Sequence, residues 1–277
     1  MHSTSSMSWF GRVSLGGGLA FLYLPIVVLV VYSFNASKLV SVWAGFSLGW
    51  YQTLFDDEAV MAAFGLSLKV AVLASAMSVV LGTLAGLVMA RFGPFRGKSL
   101  FAGMLTAPMV MPEVITGLSM LLLFVSMQQW FGFPEERGVL TIWIGHVTLC
   151  MAYVTVVIRS RLVEMDRSLE EAAMDLGARP LRIFFVITLP LILPAIASGF
   201  LLAFTLSLDD LVMTAFLSGP GSTTLPQLIF SRVRLGLNPE INALGTLTVL
   251  VVAVLVIAAN RIMLRQEKRR AALAAAA

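Results

Sequence analysis

Three carboxylates stand where an apolar sequence should not carry them. Glu113 falls within the apolar run Leu100–Val125, behind Pro108 and Pro112, and Asp209 and Asp210 close the run Leu191–Leu208. A carboxylate at membrane depth is costly unless water or a partner meets it. Counted from Leu100, Glu113 lies roughly 20 Å along a helix that rises about 1.5 Å per residue. The two prolines would interrupt the backbone ladder there and leave carbonyls facing a cavity. Glu113 has two readings: a carboxylate on a cation path, or a scaffold partner for Lys69 or a neighbouring helix. Asp209 and Asp210 also have two. Adjacent acids at a helix C-terminus oppose its dipole, which a bound cation would favour; the alternative is a solvated helix end. Ser207 adds a hydroxyl acceptor one turn before Asp210. Trp43 either offers a cation–π face or sits in an interfacial aromatic belt. Together these groups could replace the hydration of a cation with fixed charge and dipoles.

Other chemistries find no support. Cys150 is the one cysteine, which excludes an internal disulfide framework and a cysteine metal cluster. His2 and His146 are the two histidines, and His146, inside an apolar run, reads as an interhelical hydrogen-bonding residue. No Ser/His/Asp set, H-E-x-x-H or cysteine pair points to a hydrolase or a metal enzyme. Gly93-Pro94-Phe95-Arg96-Gly97-Lys98-Ser99 ends like a phosphate-binding loop, but Phe92 stands where the first glycine belongs. The segment reads as a basic loop between spans, so this chain is not expected to bind ATP.

The elements that must carry these residues are membrane helices. The chain has 277 residues, 58% hydrophobic and 12% charged, with mean hydropathy +0.92. A soluble domain carries about 25% charged residues, so a soluble enzyme, a disordered scaffold and a nucleic-acid binder are all excluded. Six runs approach the roughly 20 residues that a span needs: Val13–Tyr32, Val60–Ala90, Leu100–Val125, Leu140–Ile158, Leu191–Leu208 and Ile241–Ala259. The first is too long for a signal-peptide core and reads as an uncleaved span. With the N-terminus inside, 14 of the 19 basic residues fall on the inner side, among them Arg91, Arg96, Lys98, Arg159, Arg167 and Arg269. The positive-inside rule therefore puts both termini in the cytoplasm. Residues 1–12 and 260–277 become cytoplasmic tails around a transmembrane domain, 13–259, and Ala271–Ala277 reads as a frayed end. No internal repeat is evident, and the outer segment Asp209–Glu240 stays open between a re-entrant fold and a loop that contacts a partner.

The inner segment Arg159–Pro190 is the most informative. Helical spacing predicts a helix from Leu162 to Leu176, with Leu169, Ala172, Ala173 and Leu176 on one face and Glu164, Asp166, Glu170, Glu171 and Asp175 between them. Gly177 suits a left-handed helix end, and Pro180 the first turn of a second helix. Such a rod either presents small residues to a partner's groove or lies on lipid headgroups.

Here the residues carry a resemblance. Glu171-Ala172-Ala173, Gly177 and Ile187-Thr188-Leu189-Pro190 resemble the EAA-x3-G-x9-I-x-L-P motif of permease subunits of bacterial ABC importers that depend on a binding protein. Tyr32-Ser33-Phe34-Asn35, Trp43-Ala44-Gly45-Phe46, Pro112-Glu113-Val114-Ile115, Ser207-Leu208-Asp209-Asp210 and Asn238-Pro239-Glu240-Ile241-Asn242-Ala243 are similar to the polyamine branch. The likeness covers nearly the whole chain and is greatest to the second permease subunit of putrescine importers, with the spermidine-importing subunit a rival. Glu113 departs from the branch, which usually carries Asp there.

The resemblance implies an all-α, six-span permease of the type I ABC importer fold. It implies a homologous second permease subunit, two ATPase subunits holding ATP and Mg, and a periplasmic polyamine-binding protein. Glu170, Glu171, Ala172, Ala173, Asp175 and Gly177 would form the coupling helix against the ATPase. Asp209, Asp210, Glu113, Ser207 and Trp43 would line the polyamine path. No cofactor or metal is expected in the chain itself, and lipid is its surrounding solvent.

Overall fold

In lipid every backbone polar group must be met within the protein, so apolar runs of span length become helices. The computed structural model describes residues 8–39, 42–235 and 239–276, side chains excepted at 259–260 and 262–276. The helices are α1 (Trp9–Tyr32), α2 (Gly49–Asp56), α3 (Glu58–Arg91), α4 (Lys98–Val110), α5 (Glu113–Phe131), α6 (Val139–Glu164), α7 (Ser168–Asp175), α8 (Pro180–Ile183), α9 (Leu189–Leu208), α10 (Val212–Leu217), α11 (Leu225–Leu235) and α12 (Glu240–Ala276). A π-helical turn, Phe184–Thr188, joins α8 to α9. Among the described residues, six stretches are long and apolar enough to cross a membrane: α1, α3, α5, α6, Pro180–Leu208 and Glu240–Ala258.

Four expectations change. The run Leu100–Val125 is not one helix. Met111 adopts an extended backbone (ψ 139°) before Pro112, and the chain restarts as α5 at Glu113. The ring of a proline disfavours helical geometry in the residue before it, so Pro112 divides the run, while Pro108 stays inside α4. The Pro112 carbonyl accepts the Ile115 and Thr116 N–H groups at 2.9 and 3.1 Å. The helix expected over Leu162–Leu176 is also two. Leu162 is fully buried near the end of α6, and the chain breaks at Met165–Arg167 before α7. At the ends, α1 begins at Trp9, before the expected span, and α12 runs through Ala276 in place of a frayed tail.

The chain divides into two units. One comprises Met1–Met61 and Ile229–Ala253, the other Ala62–Leu228 and Val254–Ala277. In the first, Asn35 organises the connection after α1. Its amide donates to the Val42 carbonyl at 2.7 Å, and its side-chain oxygen accepts from the Ala44 N–H at 2.9 Å. Trp50 Nε1 donates to the Asn35 carbonyl at 2.8 Å. Arg232 holds Asp57 at 2.6 Å and Glu240 at 3.0 Å, clasping α11 to the start of α3 and of α12. That Arg232 hydrogen bond keeps the Asp57 carboxyl below the usual carboxylate range.

In the second unit α6 is the central helix. Gly82 and Gly86 of α3 sit one turn apart against Val154 and Ile158 of α6. A β-carbon at Gly82 would lie 2.7 Å from Val154, and one at Gly86 would lie 3.1 Å from Ile158. Small residues at this spacing let membrane helices approach closely. Cys150, Val154, Ile158 and Leu162 of α6 pack with Ile192 and Ala203 of α9. On the same helix, Ile142 and Leu149 pack with Phe124 of α5 and with Met213 and Leu217 of α10. The segment after Asp210 therefore turns back among the helices as α10.

Candidate functional site

The first site is the corner between α9 and α10. Asp209 caps the C-terminus of α9, and its side chain is exposed. Asp210, one residue on, is buried. Its Oδ2 accepts the Thr214 N–H at 2.8 Å and the Thr214 hydroxyl at 2.7 Å, and its Oδ1 accepts the Met213 N–H at 3.3 Å. A carboxylate in this position meets the free N–H groups of a helix start. Without it, α10 would begin with unpaired donors in an apolar surrounding, which is costly.

His146 of α6 reaches the same corner from the side. Its Nε2 lies 3.1 Å from Asp210 Oδ2 and 3.0 Å from Thr214 Oγ1, and its Nδ1 lies 2.7 Å from Ser207 Oγ. The network assigns the Nε2 proton. Asp210 only accepts and the Thr214 hydroxyl is committed to it, so Nε2 is a donor. Ser207 then donates to Nδ1 of the neutral ring or accepts from the protonated one. Either way Ser207 is buried, with its hydroxyl directed at His146. Of the three residues read at this corner, Asp209 alone presents its side chain outward.

Glu113 opens α5, where a carboxylate suits the positive end of the helix dipole. It is exposed, and no ion pair joins it to Lys69 among the described residues. One turn on, Gly117 packs so tightly on α10 that a β-carbon would lie 2.7 Å from the Phe216 ring. The helix that Glu113 starts is thus fixed to the helix that Asp209 and Asp210 precede. Trp43 belongs to the other unit, half exposed, with Tyr32 edge-on at 6.1 Å. Asn238 lies outside the described residues.

The second site is α7. Asp166 accepts the Ser168 N–H at 2.9 Å and so starts the helix; that bond also holds its carboxyl below the usual range. At the far end Ala178 N–H reaches the Ala173 carbonyl at 3.0 Å, and Gly177 N–H reaches Met174 at 2.8 Å. This Schellman closure needs a left-handed residue, and Gly177 supplies it at φ 81°. Pro180 then opens α8.

The two glutamates of α7 differ in exposure. Glu170 is drawn inward: its Oε2 meets Arg91 Nε at 2.8 Å, and its Oε1 accepts the Thr188 hydroxyl at 2.7 Å. Arg91 also donates to the Leu162 carbonyl, and Arg167 donates to the Ala90 carbonyl, at 2.8 and 2.7 Å. These bonds fasten α7 to the ends of α3 and α6 and to the π-helical turn. Between them lies a cavity of about 300 Å³, bordered by Leu87, Arg91, Met174 and Phe184. Glu171, Ala172 and Asp175 are exposed, as are Leu169 and Leu176, while Ala173 is half buried. The outward surface of α7 is therefore acidic, small and apolar.

Sequence reasoning did not find Arg91, Thr188 or Thr214 as partners. Arg91 counts only as one more basic residue at a span end, and Thr188 sits at a variable position between Ile187 and Leu189. His146 was legible as a hydrogen-bonding residue, though not its partners.

Residues 82–272 match the family described as binding-protein-dependent transport system inner membrane component. The chain is 62% identical over 253 residues to the putrescine transport system permease protein PotI of Escherichia coli K12, covering 91% of this chain and 90% of that protein. It is 38% identical to the spermidine/putrescine transport system permease protein PotC of the same organism, covering 91% and 94%. Its fold is similar to that of a bacterial ABC transporter involved in alginate import, with a TM-score of 0.74 at 18% identity over 91% and 92% of the chains. The methionine transporter MetNI aligns with a TM-score of 0.60 at 18% identity, over 75% and 97%.

Proposed function

The chain belongs to the family of binding-protein-dependent transport system inner membrane components, and from that premise we propose that it is the permease subunit of an ATP-driven polyamine importer with putrescine as its substrate. It is a multi-pass membrane protein of the ABC importer permease fold and a transport component, not an enzyme. The observation that carries the substrate is the 62% identity to a putrescine permease across nine-tenths of both chains. The lower identity to a spermidine/putrescine permease keeps spermidine as a second substrate.

The partners in this reading are a homologous permease, two ATPase subunits that hold ATP and Mg, and a periplasmic polyamine-binding protein. The excess of Lys and Arg at the ends of α3, α6 and α12 supports a cytoplasmic location for both termini and α7. Asp209 and Glu113 then supply negative charge on the path. A diamine is a cation at neutral pH, and a carboxylate at each stage replaces part of its hydration. Asp210 and Ser207 serve from behind, as the buried support that turns Asp209 outward. On the other face, Glu171, Ala172 and Asp175 meet the ATPase, while Glu170 and Gly177 fix the helix that presents them. ATP binding moves α7, and the motion reaches the path through α6 and α9, which continue directly from the α7–α8 segment. Such coupling works only if the two states differ in their interactions with the substrate.

Reconstitution tests the proposal. Vesicles holding the complete complex should take up putrescine with ATP and loaded binding protein, without an ion gradient. Uptake that follows a proton gradient and ignores ATP would overturn it in favour of a secondary transporter.

A further inference from the structure

Adjacent aspartates start with equal claims to the inside of a corner, and something must decide between them. Asp210 holds the inside position with bonds of two kinds. Those from Met213 and Thr214 are local to α10 and travel with it wherever it goes. The contact from His146 comes from another helix, and it is paired with one to Ser207 in the last turn of α9. A single imidazole thus ties the end of α9 and the start of α10 to α6, at 2% exposure, where water does not substitute for it.

We propose that His146 is a positioning residue for polyamine transfer: by holding Ser207 and Asp210 it fixes the corner so that Asp209 presents its carboxylate outward. The proposal rests on the reading of Asp209 as the acid that meets the cation. His146 itself does not touch the substrate. Its removal leaves Asp210 one donor short, Ser207 without its partner, and a cavity beside the corner. The corner then gains freedom to turn, and Asp209 loses its fixed direction.

The test is a double-variant cycle in vesicles holding the full complex, with putrescine as the probe. It reads putrescine delivered per ATP hydrolysed, the concentration of loaded binding protein giving half-maximal uptake, and the amount of co-purified complex. His146→Ala should lower delivery per ATP about tenfold, with half-saturation by the loaded binding protein unchanged. Glutamine can donate from a position close to that of Nε2, so His146→Gln should stay within about threefold of wild type. The decisive arm is the pair with Asp209→Asn. If His146 acts through Asp209, His146→Ala adds nothing in that background. A further tenfold loss there, or a His146→Gln variant as impaired as His146→Ala, overturns the positioning role while leaving the Asp209 reading intact. If Asp209→Asn alone leaves delivery unchanged, the reading of Asp209 fails and the proposal falls with it.

Discussion

The α9–α10 corner and α7 solve the same problem with different chemistry. Each carries two adjacent acids, and each turns one inward and leaves the other exposed. At α7 the inward acid, Glu170, is held by the guanidinium of Arg91 and the hydroxyl of Thr188. At the corner the inward acid, Asp210, is held by backbone N–H groups, a hydroxyl and an imidazole. The difference follows from position. Arg91 ends its helix, where its charge is compatible with the basic face that the sequence places there. The corner is buried against α6, where an arginine would bring a second costly charge and smaller donors suffice. The lesson is that an acidic pair in this chain is not a doubled site. One member ties neighbouring elements together and the other stays exposed.

Breaking the inward acids should have the largest effects. Asp210→Ala removes the acceptor from three donors at a buried helix start and takes the carboxylate from His146 Nε2, a loss of roughly 3 kcal/mol. Little complex should survive detergent extraction, and the remainder should melt markedly earlier. Glu170→Ala leaves Arg91 without its carboxylate, at 13% exposure, and should cost roughly 2 kcal/mol by thermal unfolding. Glu170→Gln, which keeps an acceptor for Thr188, should recover part of that loss.

Changing the outward acid of α7 sharpens the comparison. Glu171→Lys should leave the melting point unmoved yet reduce putrescine delivered per ATP about tenfold, because it reverses charge on the surface assigned to the ATPase. Normal coupling in this variant would remove the docking role. A smaller effect belongs to the first unit. Asp57 has its pKa lowered by Arg232 in the folded state. Its contribution is therefore full above the unfolded pKa of about 4 and is lost as pH falls through the lower folded value. Acid melting of wild type should show that loss, and Asp57→Asn should flatten it. The smallest effect expected is for Trp43→Ala, a change under about threefold in delivery.

Much of this was legible in the sequence, for identifiable reasons. Hydropathy located the spans because lipid demands continuous apolar length, and Gly177 with Pro180 announced a turn because only particular residues fit it. The split at Pro112 was written in the Met111–Pro112 pair but masked by the apolar residues on both sides. The break before α7 was missed because periodicity carried on through Met165–Arg167, although Asp166 two residues before Ser168 is a helix-start signal. Which acid of each pair faces inward was not legible at all. The answer lies in Arg91 and His146, more than sixty residues away along the chain, and spacing arguments do not reach so far.

The most direct measurement is putrescine delivered per ATP by vesicles carrying Asp209→Asn, scaled to the amount of assembled complex. Delivery should fall about tenfold while assembly and melting stay at wild-type values. Unchanged delivery, or a fall that merely tracks lost complex, would contradict the division of labour between Asp209 and Asp210.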